Sequence, residues 1–379
     1  MRIHHFYPKT RNVGDHFVQR GVERMIHEVV PGASFRLFDV NGRGGDEAYG
    51  LTRAAVVRAN READLVVVGG SNLYEGNWRW PWGVHLEPGA IEELRVPLFL
   101  LGVGTGSAFL SPAHKPSARA RSEIKLLNER AELSGARDVL TLRWLRALGV
   151  SKAELTGDPA TFIFNRPARL EGDRVVLAMP PRRFWSSRGQ FLKVRLHGRA
   201  MFRALVALAC SLAGRGREVV VACNDPADLG LARSLFGEGF GGRITCPETS
   251  EEYFGLLAES RAVVAGRLHT AVASFSLGVP FVLLDSDRRT RGFVETYGLD
   301  DWAVAPGGGD FRELLFERAE RLLAGDALAL WEALVRKREL VRGRGMGLLR
   351  DALARINSDA GDDECRKAPA GSAVTSDLI

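Results

Sequence analysis

The sequence predicts an α/β protein built from two doubly wound, Rossmann-like domains in tandem, each a parallel sheet covered by helices. Short apolar runs alternate with helical patterns along most of the chain, as they do where strands are buried on both faces. A polar stretch from Asn165 to Asp173 interrupts the alternation once, and it then resumes. The chain has 379 residues, 45% of them hydrophobic. That length favours two cores over one.

In the first half the expected strands are Arg2–Phe6, Ser34–Asp39, Leu65–Val68, Pro97–Leu101, Gly135–Leu140 and Ala153–Leu155. Expected helices lie at His16–Val30, Leu51–Glu62, Gly89–Leu94 and Ser117–Leu133. In the second half the strands are Val175–Met179, Glu218–Cys223, Arg243–Cys246, Ala262–Ala265 and Phe281–Leu284. The helices there are Val194–Ala213, Ala227–Phe236, Ser250–Glu259 and His269–Leu277, the last closed by Gly278 and Pro280. Gly298 to Gly309 reads as a loop, and Phe311 to Ile356 as a helical stretch with a break near Gly325. The domains are therefore expected at 1–165 and 173–325, with a C-terminal helical segment at 326–356. Residues 357–379 are small and polar and read as a disordered tail. Two such domains place one ligand cleft between the carboxyl ends of their strands.

Composition narrows the function classes. Net charge is +6, from 52 basic and 46 acidic residues. The excess suits acidic small molecules or an anionic membrane surface, and no nucleic-acid-binding motif stands out. Cys210, Cys223, Cys246 and Cys365 show no CxxC spacing, which argues against structural zinc or a disulfide framework and fits a reducing cytoplasm. A strand-like start and the absence of a long apolar run predict neither a secretory signal nor a membrane span. No metal-ligand cluster is evident, so neither a metal nor a cofactor is expected.

The most informative stretch runs from Ala262 to Phe293. A buried strand ends at Gly266, and Arg267 and His269 follow at the start of a helix, where a small anion is well held. Arg288, Arg289 and Arg291 follow the next strand. An imidazole beside a helix N-terminus resists protonation, and a bound anion reverses that, which makes His269 a candidate acid or base.

Other loops fall at strand ends facing the same cleft. Asn12-Val13-Gly14-Asp15 is a turn with Asp15 as helix cap, or a cleft loop. Gly69-Gly70-Ser71 is a plain turn, or a place where backbone N–H groups meet an oxyanion. Trp78, Trp80 and Trp82 then form either a sugar-stacking platform or a domain-edge cover. Gly102-Val103-Gly104-Thr105-Gly106 lacks the spacing of a dinucleotide fingerprint but marks a ligand-facing loop. Arg137-Asp138 reads first as a surface ion pair, with Arg137 aimed into the cleft as the alternative. Asp158, in Gly157-Asp158-Pro159-Ala160, braces the hinge or binds ligand. Arg182, Arg183 and Arg188 form a basic loop, solvated or phosphate-facing.

Taken in order, these elements resemble the polysaccharide pyruvyl transferase family. The resemblance runs over about residues 1 to 300 and is most specific at Arg267-Leu268-His269 with Gly278-Val279-Pro280. It implies a fold like the two-domain glycosyltransferases of the B type. It also implies transfer of a pyruvyl group from phosphoenolpyruvate to two hydroxyls of a sugar, giving a cyclic ketal. His269 would then be the acid. Arg267, the Leu268 backbone, Arg289 and Arg137 would hold the donor. Asn12, Asp15, Gly69, Gly70, Ser71, Gly104 and Asp158 would line the acceptor side. The acceptor would be a sugar, an oligosaccharide or a lipid-linked glycan, with peripheral contact at the inner membrane. Two departures stand out. Arg289 occupies a position where the family commonly has lysine, and His16-Phe17 follow Asp15 where a small or acidic residue is usual. Two rivals remain at this point. One is a nucleotide-sugar glycosyltransferase of the same fold, with Glu295 gripping a ribose. The other is a non-catalytic glycan- or phosphate-binding module.

Overall fold

Two six-stranded parallel sheets, each flanked by helices, carry the chain. The computed structural model describes residues 1–10, 13–41, 50–74, 83–106, 117–163, 173–182 and 192–367. Asn12, Trp78, Trp80, Trp82, Arg183, Arg188, most of the expected domain boundary and residues 368–379 lie outside the described residues.

The first sheet contains β1 (Arg2–Tyr7), β2 (Ser34–Asp39), β3 (Leu65–Gly69), β4 (Leu98–Val103), β5 (Leu133–Ala136) and β6 (Glu154–Leu155), in the order β2-β1-β3-β4-β5-β6. Its helices are α1 (Val13–Val29), α2 (Arg53–Glu62), α3 (Ala118–Arg130) and α4 (Val139–Ala147). The second sheet contains β7 (Val175–Ala178), β8 (Val219–Ala222), β9 (Arg243–Thr245), β10 (Ala262–Ala265), β11 (Phe281–Leu284) and β12 (Ala303–Val304), in the order β12-β11-β10-β7-β8-β9. Its helices are α5 (Leu192–Gly214), α6 (Pro226–Phe236), α7 (Ser250–Ala258), α8 (Leu268–Leu277), α9 (Arg288–Tyr297) and α10 (Phe311–Ala324). A final helix, α11 (Ala327–Lys367), closes the described chain.

Alternating side chains explain why both faces of each sheet are covered. In β1 and β3, Ile3, Leu65 and Val67 face α1, while Phe6, Val66 and Val68 face the layer that carries α2 and α3. Strand order reverses between β1 and β3 in the first sheet and between β7 and β10 in the second. Such switch points open a crevice at the strand carboxyl ends, and here the two crevices face each other.

The interface between domains is apolar and tight. Val13, Phe17 and Val18 of α1 belong to the core of the second domain, and the Phe17 ring stacks on Phe254 at 4.3 Å. The helix α11 crosses from one domain to the other. Leu334 and Val341 pack into the second core, and Met346, Leu349, Ala352 and Leu353 into the first, beside Ile3, Val22 and Met25.

Several sequence expectations shift. Asp138 caps α4, so Val139 and Leu140 leave the expected strand for a helix. Residues 89–94 form turns rather than a helix. The loop expected at 298–309 holds a short 3-10 turn, Asp300–Trp302, and β12. Residues 357–367, expected in the tail, continue α11. Among the described residues one helical segment, Leu196–Gly214, is long and apolar enough to cross a membrane by length and composition alone. Met201, Phe202, Leu205, Leu208 and Leu212 from it are buried in the second core, which accounts for its apolar content.

Candidate active site

The two switch points meet at His269. It stands in the first turn of α8, just past the carboxyl end of β10. Opposite it lies the first turn of α1. A Cβ placed on Gly14 would fall 1.8 Å from His269 Nδ1, so the imidazole rests directly on that glycine's backbone. The N-termini of α1 and α8, one from each domain, therefore converge on one ring.

The charges around the ring are mostly positive. Burial, then the guanidinium groups of Arg289, Arg137 and Arg267, push the His269 imidazole down to about 3, against a smaller opposing pull from Asp287. His269 as a whole residue is half-buried. The neutral ring of the free protein thus sits where an anion is wanted.

Each arginine is fixed differently. Arg267 lies at the β7/β10 switch point, where its Nε donates to the Met179 carbonyl at 3.2 Å and its Nη2 pairs with buried Asp228 on α6. Burial raises the Asp228 carboxyl, and Arg267 draws it back. Arg289, at the start of α9, donates from Nε to Asp287 Oδ2 at 2.9 Å. Asp287 in turn caps α9 in a reciprocal arrangement with Thr290. Arg267 and Arg289 keep side-chain exposures of 17% and 19%, enough to reach a ligand. Arg137 is only 2% exposed, and its donors go to Asn72 Oδ1 at 2.6 Å, the Thr105 carbonyl at 3.2 Å and Asp138 Oδ2 at 3.3 Å. It contributes field rather than a free fork. Gly104 makes room for it, since a Cβ there would lie 2.5 Å from the guanidinium carbon.

The first-domain loops form the opposite wall. Asp15 sits inside the first turn of α1, not at its cap, because the helix begins at Val13. Its carboxylate accepts from Thr10 and from Ser71 Oγ at 3.2 Å. Burial raises the Asp15 carboxyl, and these hydrogen bonds, together with His16 and Arg289, offset part of that. Ser71 adopts a φ of 61°, a conformation uncommon outside glycine, which aims its hydroxyl at Asp15. Gly69 and Gly70 let the β3 turn lie against His5 and Val18. Their smallness serves packing rather than a ligand.

A family model for polysaccharide pyruvyl transferase matches residues 12–288. The chain belongs to that family. No curated protein matches the sequence. Among solved structures, the protein is similar to the UDP-GlcNAc 2-epimerase of Neisseria meningitidis, with a TM-score of 0.56 at 10% identity, covering 94% of this chain and 100% of that one. A putative UDP-N-acetylglucosamine 2-epimerase of Listeria monocytogenes gives a TM-score of 0.56 at 14% identity, covering 88% and 90%. A glycosyltransferase of Rickettsia africae gives 0.50 at 10% identity, covering 97% and 99%. These likenesses establish the two-domain architecture of the B-type glycosyltransferases.

In this pyruvyl transferase family member, the sequence-nominated residues divide into two groups. His269, Arg267, Leu268, Arg289, Arg137 and Asp15 surround the facing helix ends. Asp158 stands behind Arg137. Its Oδ1 accepts from Ala160 N at 3.0 Å, and its Oδ2 faces Arg137 Nε at 4.0 Å without a hydrogen bond. It braces Arg137 instead of lining the cleft. Arg137-Asp138, taken from sequence as a surface pair, is fully interior. Asp228, Asn72 and Asp287 aim the arginines; sequence reasoning missed Asp228 and Asp287 and read Asn72 only as the end of the Gly69-Gly70-Ser71 loop. Asp287 had a signal, the cap spacing to Thr290. Asp228 had none, and the pairing of Asn72 with Arg137 had none, because those partners are distant in sequence.

Proposed function

We propose that this transferase moves a pyruvyl group from phosphoenolpyruvate to two hydroxyls of a sugar, in the biosynthesis of an exopolysaccharide or cell-surface glycan. The observation that carries the reading is His269 held between two domains under the field of Arg137, Arg267 and Arg289. Phosphoenolpyruvate brings a carboxylate and a phosphate, and the exposed edges of Arg267 and Arg289, with the backbone N–H groups at the start of α8, suit both. Its charge offsets the arginines and raises the imidazole, so the donor generates its own acid.

The chemistry then balances without water. His269 as imidazolium protonates the methylene carbon, and cationic character develops at the carbon bearing phosphate. One sugar hydroxyl adds there and returns its proton to the His269 imidazole. Phosphate leaves with the C–O bond pair, and a second hydroxyl closes the ketal, its proton passing to the departing phosphate. Asp15, with its raised carboxyl, faces this centre from the acceptor side. The acceptor is a sugar, oligosaccharide or lipid-linked glycan met at the cytoplasmic face of the membrane.

Glu295, the ribose candidate of the nucleotide-sugar reading, is paired with Arg143 and Arg291, each at 3.1 Å. Incubation with phosphoenolpyruvate and a glycan panel tests the proposal. The expected result is one phosphate released per ketal formed, with the acceptor gaining the mass of pyruvic acid less one water. His269→Ala should lower turnover by about 10²–10⁴-fold with donor binding retained. Transfer from a nucleotide sugar with no response to phosphoenolpyruvate would overturn it.

A further inference from the structure

A cleft of about 830 Å³ lies between the N-terminal end of α1 and the carboxyl ends of β8 and β9. That is the size of a small-molecule site. Thr10, Val13 and His16 form its first-domain wall. Asn224, Leu229 and Glu248 stand across from them. It opens beside the charged centre. Val13 precedes the glycine on which His269 rests, and Asn224 Nδ2 lies 3.4 Å from Thr270 Oγ1, one residue past His269.

The cleft and the neighbouring His269 centre carry charged groups of opposite sign. Around His269 three arginines outweigh one aspartate. In the cleft wall, the Cys246 thiol is raised first by burial and then by Asp225, Asp228 and Glu248, with Arg267 the opposing cation. A second carboxylate there, Glu251, is paired with Arg20 across the domains. Glu248 is exposed at the mouth. The remaining wall mixes apolar surface from Val13, Pro226, Leu229 and Pro247 with hydroxyl, amide and imidazole groups. Such a lining meets a sugar ring well, with C–H faces on the apolar residues and hydroxyls donating to the exposed Glu248 carboxylate.

We propose that this cleft is the acceptor subsite and that it selects an uncharged, polyhydroxylated sugar over a uronic acid or phosphorylated sugar. The name acceptor rests on the pyruvyl-transfer reading; the binding preference does not. His16, one of the two departures from the family's sequence, then stands where it contacts the acceptor.

Saturation-transfer NMR on the full chain tests this with methyl glycosides of hexoses and N-acetylhexosamines against methyl glycosides of the matching uronates. We expect at least one neutral glycoside to bind and its uronate to bind about tenfold more weakly, a difference in reach of one unpaired like charge near a surface. Ser250→Trp and Leu229→Trp, which fill the cleft, should abolish the signal while calorimetric phosphoenolpyruvate binding is kept. Glu248→Lys should bring the uronate level with the neutral sugar. The proposal is overturned if no neutral glycoside binds, if the uronate binds as well as its neutral parent, or if binding survives both tryptophan variants. Cleft-dependent glycoside binding without phosphoenolpyruvate turnover would instead sink the pyruvyl-transfer reading and leave the sugar subsite standing.

Discussion

At Gly14 the backbone has room for a hydrogen and nothing larger, because His269 Nδ1 occupies the place of a Cβ. The residue lies in the first turn of α1, where alanine suits the backbone better than glycine. Gly14→Ala is therefore expected to fold with a Tm near wild type while the imidazole is driven from position. A displacement of about 1 Å costs on the order of 10²-fold in rate, so turnover should fall at least that far. A full-length kcat comparison alongside a thermal melt checks it. The same ring carries a pH prediction. In the free protein His269 stays neutral down to about pH 3, below its ordinary 6.5. A bound dianion raises it, so donor binding between those limits must take up a proton, and affinity must rise as pH falls from the bound value toward 3. Calorimetry in buffers of different ionisation enthalpy should show this uptake in wild type and not in His269→Ala. Arg267 and His269 were legible in sequence because a strand end, a glycine and a helix start identify a crevice position. Their orientation was not, since it depends on Asp228, Gly14 and Asp287, which belong to other elements.

The helix α11 shows how an element can serve a domain other than its neighbour. Buried Arg338 donates to the Ser276 carbonyl of α8, and Arg342 Nη2 reaches Glu28 on α1 at 2.8 Å. Beyond them Met346, Leu349 and Leu353 cover the first sheet's α1 face. Ending the chain after Gly345 uncovers that face. Each such side chain contributes about 1.5–3 kcal/mol on full burial, so the loss should exceed about 4 kcal/mol and unfold or severely destabilise the first domain. Ending it after Asn357 keeps Ile356, the last of the described residues that packs on this face, and should leave the Tm unchanged. Differential scanning calorimetry of the two truncations decides between these outcomes. Helical periodicity revealed this helix as far as Ile356. The polar composition beyond it hid the continuation to Lys367, because without an apolar stripe the helical period leaves no mark in the sequence. The missed helix α4 has the opposite cause, since Val139 and Leu140 carry strand-like side chains but Asp138 caps them into a helix.

Across the whole molecule, buried apolar groups hold the two domains together, with polar contacts along the seam. Arg288 Nη2 donates to the Leu140 carbonyl at 3.2 Å, and Arg143 pairs with Glu295 across the same seam. Arg143 is 70% exposed, so its pair is worth little in water. Glu295→Gln should accordingly leave pyruvyl transfer within about twofold of wild type, since a surface pair contributes about 0–1 kcal/mol. A loss of activity tied to nucleotide-sugar binding would point to the rival reading. At this scale the sequence by itself determined two doubly wound domains, their strand ends and the loops there, because strand and helix periodicities are local and turn residues punctuate them. Only the tertiary structure decided that the two switch points face one another, that Gly14 bears on His269, and that Arg137 is interior. It also brought Glu248 and Glu251 to a cleft beside the arginines around His269. Those facts depend on contacts between residues far apart in the chain, which no local pattern encodes.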